Sequence, residues 1–177
     1  MHRSEWGLNL RVQGAMMSKR DPASDTLGMG GAGIGLRYKP SPYFGLEVGA
    51  DFFSGRDYYD YKRTEQAFSI NGLVFLTPKS RAQLYLVGGI GWSSATVRDD
   101  STSSSQDVKY GYFGGQAGIG LELRMARNFA LNFDMRGFIR GRTDSKAREE
   151  PEFRDATGRT TNTSGGGIFT LGMTFYF

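Results

Sequence analysis

The chain ends in Thr170-Leu171-Gly172-Met173-Thr174-Phe175-Tyr176-Phe177, a stretch in which large apolar residues occupy every second position. Successive side chains of an extended strand point to opposite faces, so the four apolar residues share one face of this stretch. Chain termini are usually polar and poorly ordered. An aromatic terminus that completes a perfect alternation therefore predicts a strand that is paired to its end, as the closing strand of a barrel is.

Seven earlier stretches alternate with the same period of two, and long and short polar connections separate them in turn. This pattern predicts an all-β fold, an eight-stranded antiparallel up-and-down barrel that forms one domain over residues 1–177. The predicted strands are residues 5–16, 30–39, 43–54, 65–77, 82–97, 108–125, 128–141 and 165–177.

The composition limits the classes of protein that remain. The chain has no cysteine, which excludes a disulfide framework and a thiolate metal site. No run of about 18 apolar residues is present, so a membrane-spanning helix is excluded, whereas a spanning strand is not, because its inward residues can be polar. The start, Met1–Glu5, lacks an apolar export signal, and we interpret the chain as a mature form.

The size of the side chains on the polar face indicates which face is inside. That face is rich in glycine, which is a poor choice for strands facing water but makes room for long side chains inside a narrow barrel. We therefore predict a polar, glycine-rich interior and an apolar, lipid-facing exterior. The predicted interior charge network consists of Arg11, Arg37, Glu47, Asp51, Glu122, Arg124, Asp134, Arg136 and Arg140.

The proline-rich turn between the second and third strands predicts their register. It places Arg37 opposite Glu47 and Gly33 opposite Asp51, so that Arg11 can reach both carboxylates across the glycine-rich second strand. Buried charges need such partners, because an unpaired one costs several kcal/mol.

Aromatic residues cluster toward both ends of the apolar face, as they do in the interfacial girdles of membrane barrels. They are Trp6, Phe44, Phe129 and Phe177 at one edge and Trp92 and Phe113 at the other. A soluble ligand-binding barrel, with its apolar face inside, is the less favoured alternative.

Two motifs resemble those of a known family. The terminal pattern of Thr170, Gly172, Phe175 and Phe177 looks like the insertion signal of bacterial outer-membrane barrels, and the repeated Gly-x-Gly strands are similar to those of the OmpA/OmpX-like small barrels. The resemblance implies a Gram-negative outer membrane, both termini in the periplasm, and insertion by the barrel-assembly machinery. The implied partners are membrane lipid, lipopolysaccharide and an envelope or extracellular protein; no nucleic acid is implied.

Catalysis is not expected. The small barrels of this kind that are enzymes use a catalytic histidine, and the only histidine here is His2, ahead of the first strand. Without a histidine base, a serine nucleophile has no ordinary activator. The carboxylates of Glu47 and Asp51 are expected to be neutralised by arginine, and Asp99-Asp100 is better explained as a solvated loop than as a calcium site. We expect no cofactor.

The second long loop carries a group of aromatic and basic residues that suits partner docking, although an extended hairpin whose tyrosines flank the outer membrane interface is the favoured explanation. These candidate loop contacts are Arg56, Tyr58, Tyr59, Tyr61, Lys62 and Arg63. Together with Arg98, Lys109, Arg140 and Arg142, the cations of this loop are predicted to form a basic rim that pairs with lipopolysaccharide phosphates.

The sequence thus favours a non-enzymatic structural or interaction protein, either an anchor or an adhesin-like barrel with long outer loops. A narrow pore for ions or small solutes is the alternative. Several bulky side chains predicted to face inward count against a wide channel, namely Phe53, Phe75, Tyr85, Phe138 and Tyr176.

Overall fold

The computed structural model describes residues 4–17, 27–56, 61–98, 108–149, 153–154 and 160–177. Within these residues the chain forms long antiparallel strands and one small two-stranded ribbon. The strands are β1 (Glu5–Met17), β2 (Leu27–Lys39), β3 (Phe44–Arg56), β4 (Lys62–Phe75), β5 (Ala82–Arg98), β6 (Val108–Arg124), β7 (Phe129–Arg142), β8 (Phe153–Arg154), β9 (Thr160–Thr161) and β10 (Thr163–Tyr176).

Eight of the described strands close into a barrel in the order β1-β10-β7-β6-β5-β4-β3-β2. The last strand pairs with the first from Gly7 opposite Tyr176 to Met17 opposite Gly166. Backbone hydrogen bonds extend this seam to the final residue, because the amide of Phe177 donates to the carbonyl of Trp6 at 2.9 Å. The predicted fold class, an eight-stranded antiparallel membrane barrel, is confirmed.

The strand ends differ from the predicted ones by a few residues. β2 starts at Leu27 rather than at residue 30, and β4 spans Lys62–Phe75 rather than 65–77. Pro78 follows closely after β4 and cannot donate to a ladder, which favours the early end. The predicted loop before the last strand also contains the β8–β9 ribbon.

The connections define two ends of the barrel. The short connections 40–43, 76–81 and 125–128 lie with the start of β1 and the end of β10 at what we call the turn end. The opposite strand ends, which the long connections 18–26, 57–61, 99–107 and 143–162 join in sequence, define what we call the loop end. In the part of the chain that the structure describes, no helix has the length and apolar character needed to cross a bilayer.

The apolar face of the strands points outward and is exposed along the barrel wall. Val48 is 57% exposed and Phe68 is 59% exposed, values that belong to the surface rather than to a core. Trp92 packs on Phe113 with ring centroids 5.3 Å apart. A soluble barrel would bury these side chains, so the exposed band is the lipid-facing surface of a membrane barrel.

The polar face lines the lumen, where charged side chains are almost fully buried. Arg37 and Glu47 are each 1% exposed, and Glu122 is 0% exposed. The register between β2 and β3 is the expected one, with Arg37 opposite Glu47 and Gly33 opposite Asp51. The strands therefore bring the charged residues of the inner face together in one enclosed space.

Candidate functional site

The turn half of the lumen is organised around Arg37. Its Nε and Nη2 donate to Oε2 of Glu47 at 2.9 and 2.7 Å, and its Nη1 donates to Oε2 of Glu122 at 2.7 Å on the opposite wall. The ring of Tyr85 lies 5.8 Å from the guanidinium carbon. One arginine on β2 thus links β3 to β6 through the barrel interior.

Arg11 on β1 makes the second set of contacts with the carboxylates of β3. It donates from Nη1 to Glu47 at 2.8 Å, and from Nε and Nη2 to the two oxygens of Asp51 at 2.7 and 2.8 Å. The guanidinium passes over Gly35 of β2 and lies against Gly49 of β3, where a Cβ atom would collide with it. The glycines of these two strands therefore provide the space that the bidentate pair occupies.

Glu122 collects hydrogen bonds from several walls of the barrel. Its two oxygens accept from Arg37, from Arg124 at 2.8 Å, from Asn132 at 3.1 Å and from the hydroxyl of Tyr176 at 2.7 Å. Charge-assisted hydrogen bonds of this kind are about twice as strong as neutral ones. Glu122 on β6 therefore links β2, β7 and β10 through the lumen.

Asp134 and Arg136 extend the network toward the middle of the barrel. Arg136 donates to Asp134 at 2.7 Å and lies 3.9 Å from Glu47, while the hydroxyl of Tyr85 donates to Asp134 at 3.0 Å. The sequence did not single out Lys39, which lies 3.7 Å from Glu122, or Glu5, which pairs with Arg124 at 2.8 Å.

We refer to this connected set as the turn-half network. Among the described residues it balances five basic against five acidic side chains and fills the lumen on the turn side. Its members are Arg11, Arg37, Lys39, Arg124, Arg136, Glu5, Glu47, Asp51, Glu122 and Asp134.

Arg140, a member of the predicted interior charge network, lies in the lumen but outside the turn-half network. It lies near the loop end, where it pairs with Glu65 and donates to Ser164 and Ser93 at 3.1 Å each. Its guanidinium also lies 4.2 Å from the centre of the Tyr112 ring. Arg140 lies six positions beyond Asp134 along β7, toward the loop end, and its carboxylate partner there is Glu65.

The prediction that Arg63, Arg140 and Arg142 form part of an exposed basic rim is wrong. All three point into the lumen and are at most 9% exposed. Arg63 donates to the hydroxyl of Tyr112 at 3.1 Å, and Arg142 donates to Asp144 at 2.5 and 2.9 Å. The hydrogen bonds from Arg142 hold the pKa of the Asp144 carboxyl, in the turn after β7, below its ordinary value.

The four remaining cations of the predicted rim, Arg56, Lys62, Arg98 and Lys109, lie on the outer surface of the barrel, and we call them the basic row. Arg56 is directly opposite Lys62, Lys62 is directly opposite Arg98, and Lys109 follows on β6 opposite Thr96. All four side chains are exposed on the outer wall at the loop end. Tyr61 borders the row and is 36% exposed.

Tyr58 and Tyr59, which the sequence also suggested as loop contacts, lie outside the described residues. The basic row is therefore defined by strand residues alone.

The residues of the predicted insertion signal all lie in or directly after β10. Thr170 and Gly172 face the lumen, whereas Phe175 and Phe177 face outward and are 42% and 77% exposed. Phe175 packs on Phe129 with ring centroids 5.2 Å apart. The last aromatic residues thus belong to the girdle at the turn end.

The comparison with known proteins gives a single family. A family model described as "Outer membrane protein beta-barrel domain" matches residues 2–177. No curated protein sequence matches the chain.

Solved structures share the fold at low sequence identity. Neisserial surface protein A (NspA) superposes with a TM-score of 0.67 at 12% identity, over 97% of each chain. Ail, the attachment invasion locus protein of Yersinia pestis, gives a TM-score of 0.61 at 14% identity, over 99% of this chain and 100% of Ail, in a complex with the heparin analogue sucrose octasulfate. OprG from Pseudomonas aeruginosa gives 0.56 at 11% identity, over 98% and 95%. The closed barrel, its lipid-facing exterior and the match over nearly all its residues place this chain in the outer membrane protein beta-barrel domain family.

Proposed function

We propose that this protein is a non-enzymatic interaction protein of the bacterial outer membrane whose basic row binds the phosphates of lipopolysaccharide. The observation that carries the proposal is the register of Arg56, Lys62 and Arg98, which places three cations side by side on adjacent strands. A multivalent anion with several phosphates can contact neighbouring cations at once through charge-assisted hydrogen bonds.

The height of the basic row on the barrel supports a lipid headgroup as the anion. Arg56 lies four residues beyond Phe52, which is 49% exposed on the same face of β3. This spacing corresponds to ~13 Å along the strand and ~10 Å along the axis of a tilted barrel. The cations therefore face outward ~10 Å above Phe52, the last apolar side chain on that face of β3, at the height of lipid phosphates and sugars.

The likeness to Ail is consistent with anion binding on this fold, since that protein was solved with a polysulfated ligand. Lipopolysaccharide occupies the outer leaflet, so the proposal also requires the loop end outside and both termini in the periplasm.

Neutralising the basic row should release lipopolysaccharide. The variant R56Q/K62Q/R98Q is expected to retain several-fold less lipopolysaccharide than the parent protein on purification, with a weaker dependence of binding on salt, because screened charge contacts are lost. Retention is measured as phosphate bound per folded barrel.

A matched control removes three exposed cations at the turn end, in the variant K79Q/R81Q/R127Q. It changes the net charge equally and should retain as much lipopolysaccharide as the parent protein. Equal retention by both variants would contradict the proposal. If R56Q/K62Q/R98Q lost heparin binding but retained as much lipopolysaccharide as the parent protein, the row would instead be assigned to a sulfated glycan.

The turn-half network does not favour the narrow pore. Arg37, Glu47 and Glu122 are buried in the lumen with their charges paired to one another. Conduction would require these ion pairs to separate, and breaking a buried pair costs several kcal/mol. Stable single-channel openings above leak in planar bilayers would count against a closed lumen.

We further propose that Thr170, Gly172, Phe175 and Phe177 are recognised by the barrel-assembly machinery. Replacing Phe177 by alanine should slow machinery-assisted insertion several-fold and leave spontaneous folding into detergent unchanged. Phe169→Ala is the matched control, because Phe169 lies on the same outer face of β10 but outside the pattern. Equal slowing by both substitutions would show that only lost apolar contact matters.

A further inference from the structure

On the loop side of the turn-half network the lumen becomes apolar, around the ion pair of Glu65 and Arg140. Side chains from six strands form this apolar middle layer, and most of them are buried. They are Ala15, Met17, Met29, Phe53, Ala67, Phe138 and Ile168.

The apolar layer borders a cavity of about 90 Å³. Gly91 and Gly114 lie directly opposite each other on β5 and β6, so one wall of the cavity is bare backbone, and the cavity also borders the outward-facing Phe68, Trp92 and Ile139. The polar groups at its edges include Gln13 and Gln116 on the turn side and Ser93 near the loop end. The cavity is thus a mostly apolar space with a few hydrogen-bonding groups at its margins.

We propose that this cavity is a binding site for a small uncharged apolar molecule, about one aromatic ring in size. Empty cavities in proteins are characteristically apolar, and one of about 150 Å³ in an engineered protein binds benzene. Met17 and Met29 line the space here, and the flexible thioether side chain lets a cavity adapt to its occupant. The site is separate from the basic row and does not depend on it.

The charges around the cavity argue against a charged occupant. Arg140 is paired with Glu65 and Arg136 is paired with Asp134, so the carboxylates and guanidiniums at both edges are mutually neutralised. An ionic ligand would need to displace one of these pairs, whereas an uncharged one leaves them intact.

The loop end offers the route of entry. The turn-half network closes the other side with buried ion pairs, while the loop side is covered by Arg140 and its contacts with Glu65, Ser93 and Ser164. Among the described residues, the guanidinium of Arg140 lies over the Tyr112 ring at the loop-side edge of the cavity. Rotation of that side chain would widen the opening toward the loop end.

Methyl NMR of the folded protein, with labelled methionines in detergent micelles, separates lumen binding from partition into the micelle. Met17 and Met29 are buried in the lumen, whereas Met16 and Met173 are 51% and 43% exposed on the lipid face. Benzene is the probe. We expect the methyl chemical shifts of Met17 and Met29 to change and then saturate as benzene is added. The shifts of Met16 and Met173 should change only linearly with benzene concentration.

Filling the cavity tests the assignment. Ala67→Phe should abolish the saturable shifts, and Ala32→Phe on the lipid face is the matched control that should keep them. If Ala67→Phe fails the heat-shift test for folding, Ala15→Leu replaces it as the filling variant. Linear drift at all four methionines of the parent protein, or saturation that persists in the filled variants, would overturn the proposal.

Discussion

Replacing Glu47 by glutamine should lower the free energy of unfolding by about 3–5 kcal/mol, because removing one partner of a buried ion pair leaves the other charge uncompensated. Glu47 accepts hydrogen bonds from both Arg11 and Arg37 and lies 3.9 Å from Arg136. Glutamine keeps the shape of the side chain, so the loss would report charge rather than packing. Urea unfolding in lipid vesicles, followed by the shift of the folded band on gels, measures it.

Glu5→Gln is the matched control for this experiment. Glu5 also pairs with an arginine, Arg124, but its side chain is 35% exposed at the turn end. Exposed pairs contribute roughly 0–1 kcal/mol, so this variant should unfold near the parent protein. A loss below about 1 kcal/mol for Glu47→Gln would show that water enters the turn half and screens the network.

Replacing Gly120 by alanine should also destabilise the barrel, by about 1–3 kcal/mol from overpacking. A Cβ atom at this position would clash with the ring of Tyr85, which lies directly opposite on β5. The ring cannot shift freely, because it packs against Phe75 with centroids 5.4 Å apart and its hydroxyl donates to Asp134. The same urea experiment measures the loss.

Gly88→Ala is the matched control, since Gly88 lies on the neighbouring strand β5 and faces lipid, and its Cβ would have no neighbour closer than 3.9 Å. We expect no loss of stability there. The double variant G120A/Y85A should cost less than the two single changes together, because truncating Tyr85 removes the clash. Additive effects of the two changes would place the cost in the backbone of β6 instead.

The alternation of side chains predicted most of the barrel because both faces are chemically uniform over long stretches. The register of β2 with β3 followed from a four-residue turn, which leaves the ladder little freedom, and it placed Arg37 against Glu47. The closure of β1 with β10 followed from the apolar face of the last strand, which must be paired to be stable in lipid.

The loop end was less predictable because the strands continue past the point where the sequence becomes loop-like. Arg63 lies two residues before Glu65 and four before Ala67, on the same face of β4. If the predicted strand had been extended to include Arg63, the period of two would have placed this side chain in the lumen. The apolar middle layer was missed for another reason. The inner face was expected to be polar, so apolar inward residues such as Met29 and Ile168 were not predicted to form a cluster. Their packing in one cluster is visible only in the closed barrel.

The contacts of Glu122 have a consequence for the order of events in folding. Its partners Arg37, Asn132 and Tyr176 come from β2, β7 and β10, so no single hairpin can satisfy this carboxylate. Contacts between distant parts of a chain form late, because the intervening segments must first be brought together. We therefore expect Glu122 to gain its full set of partners, and to lose its contact with water, only when the seam between the first and last strands closes.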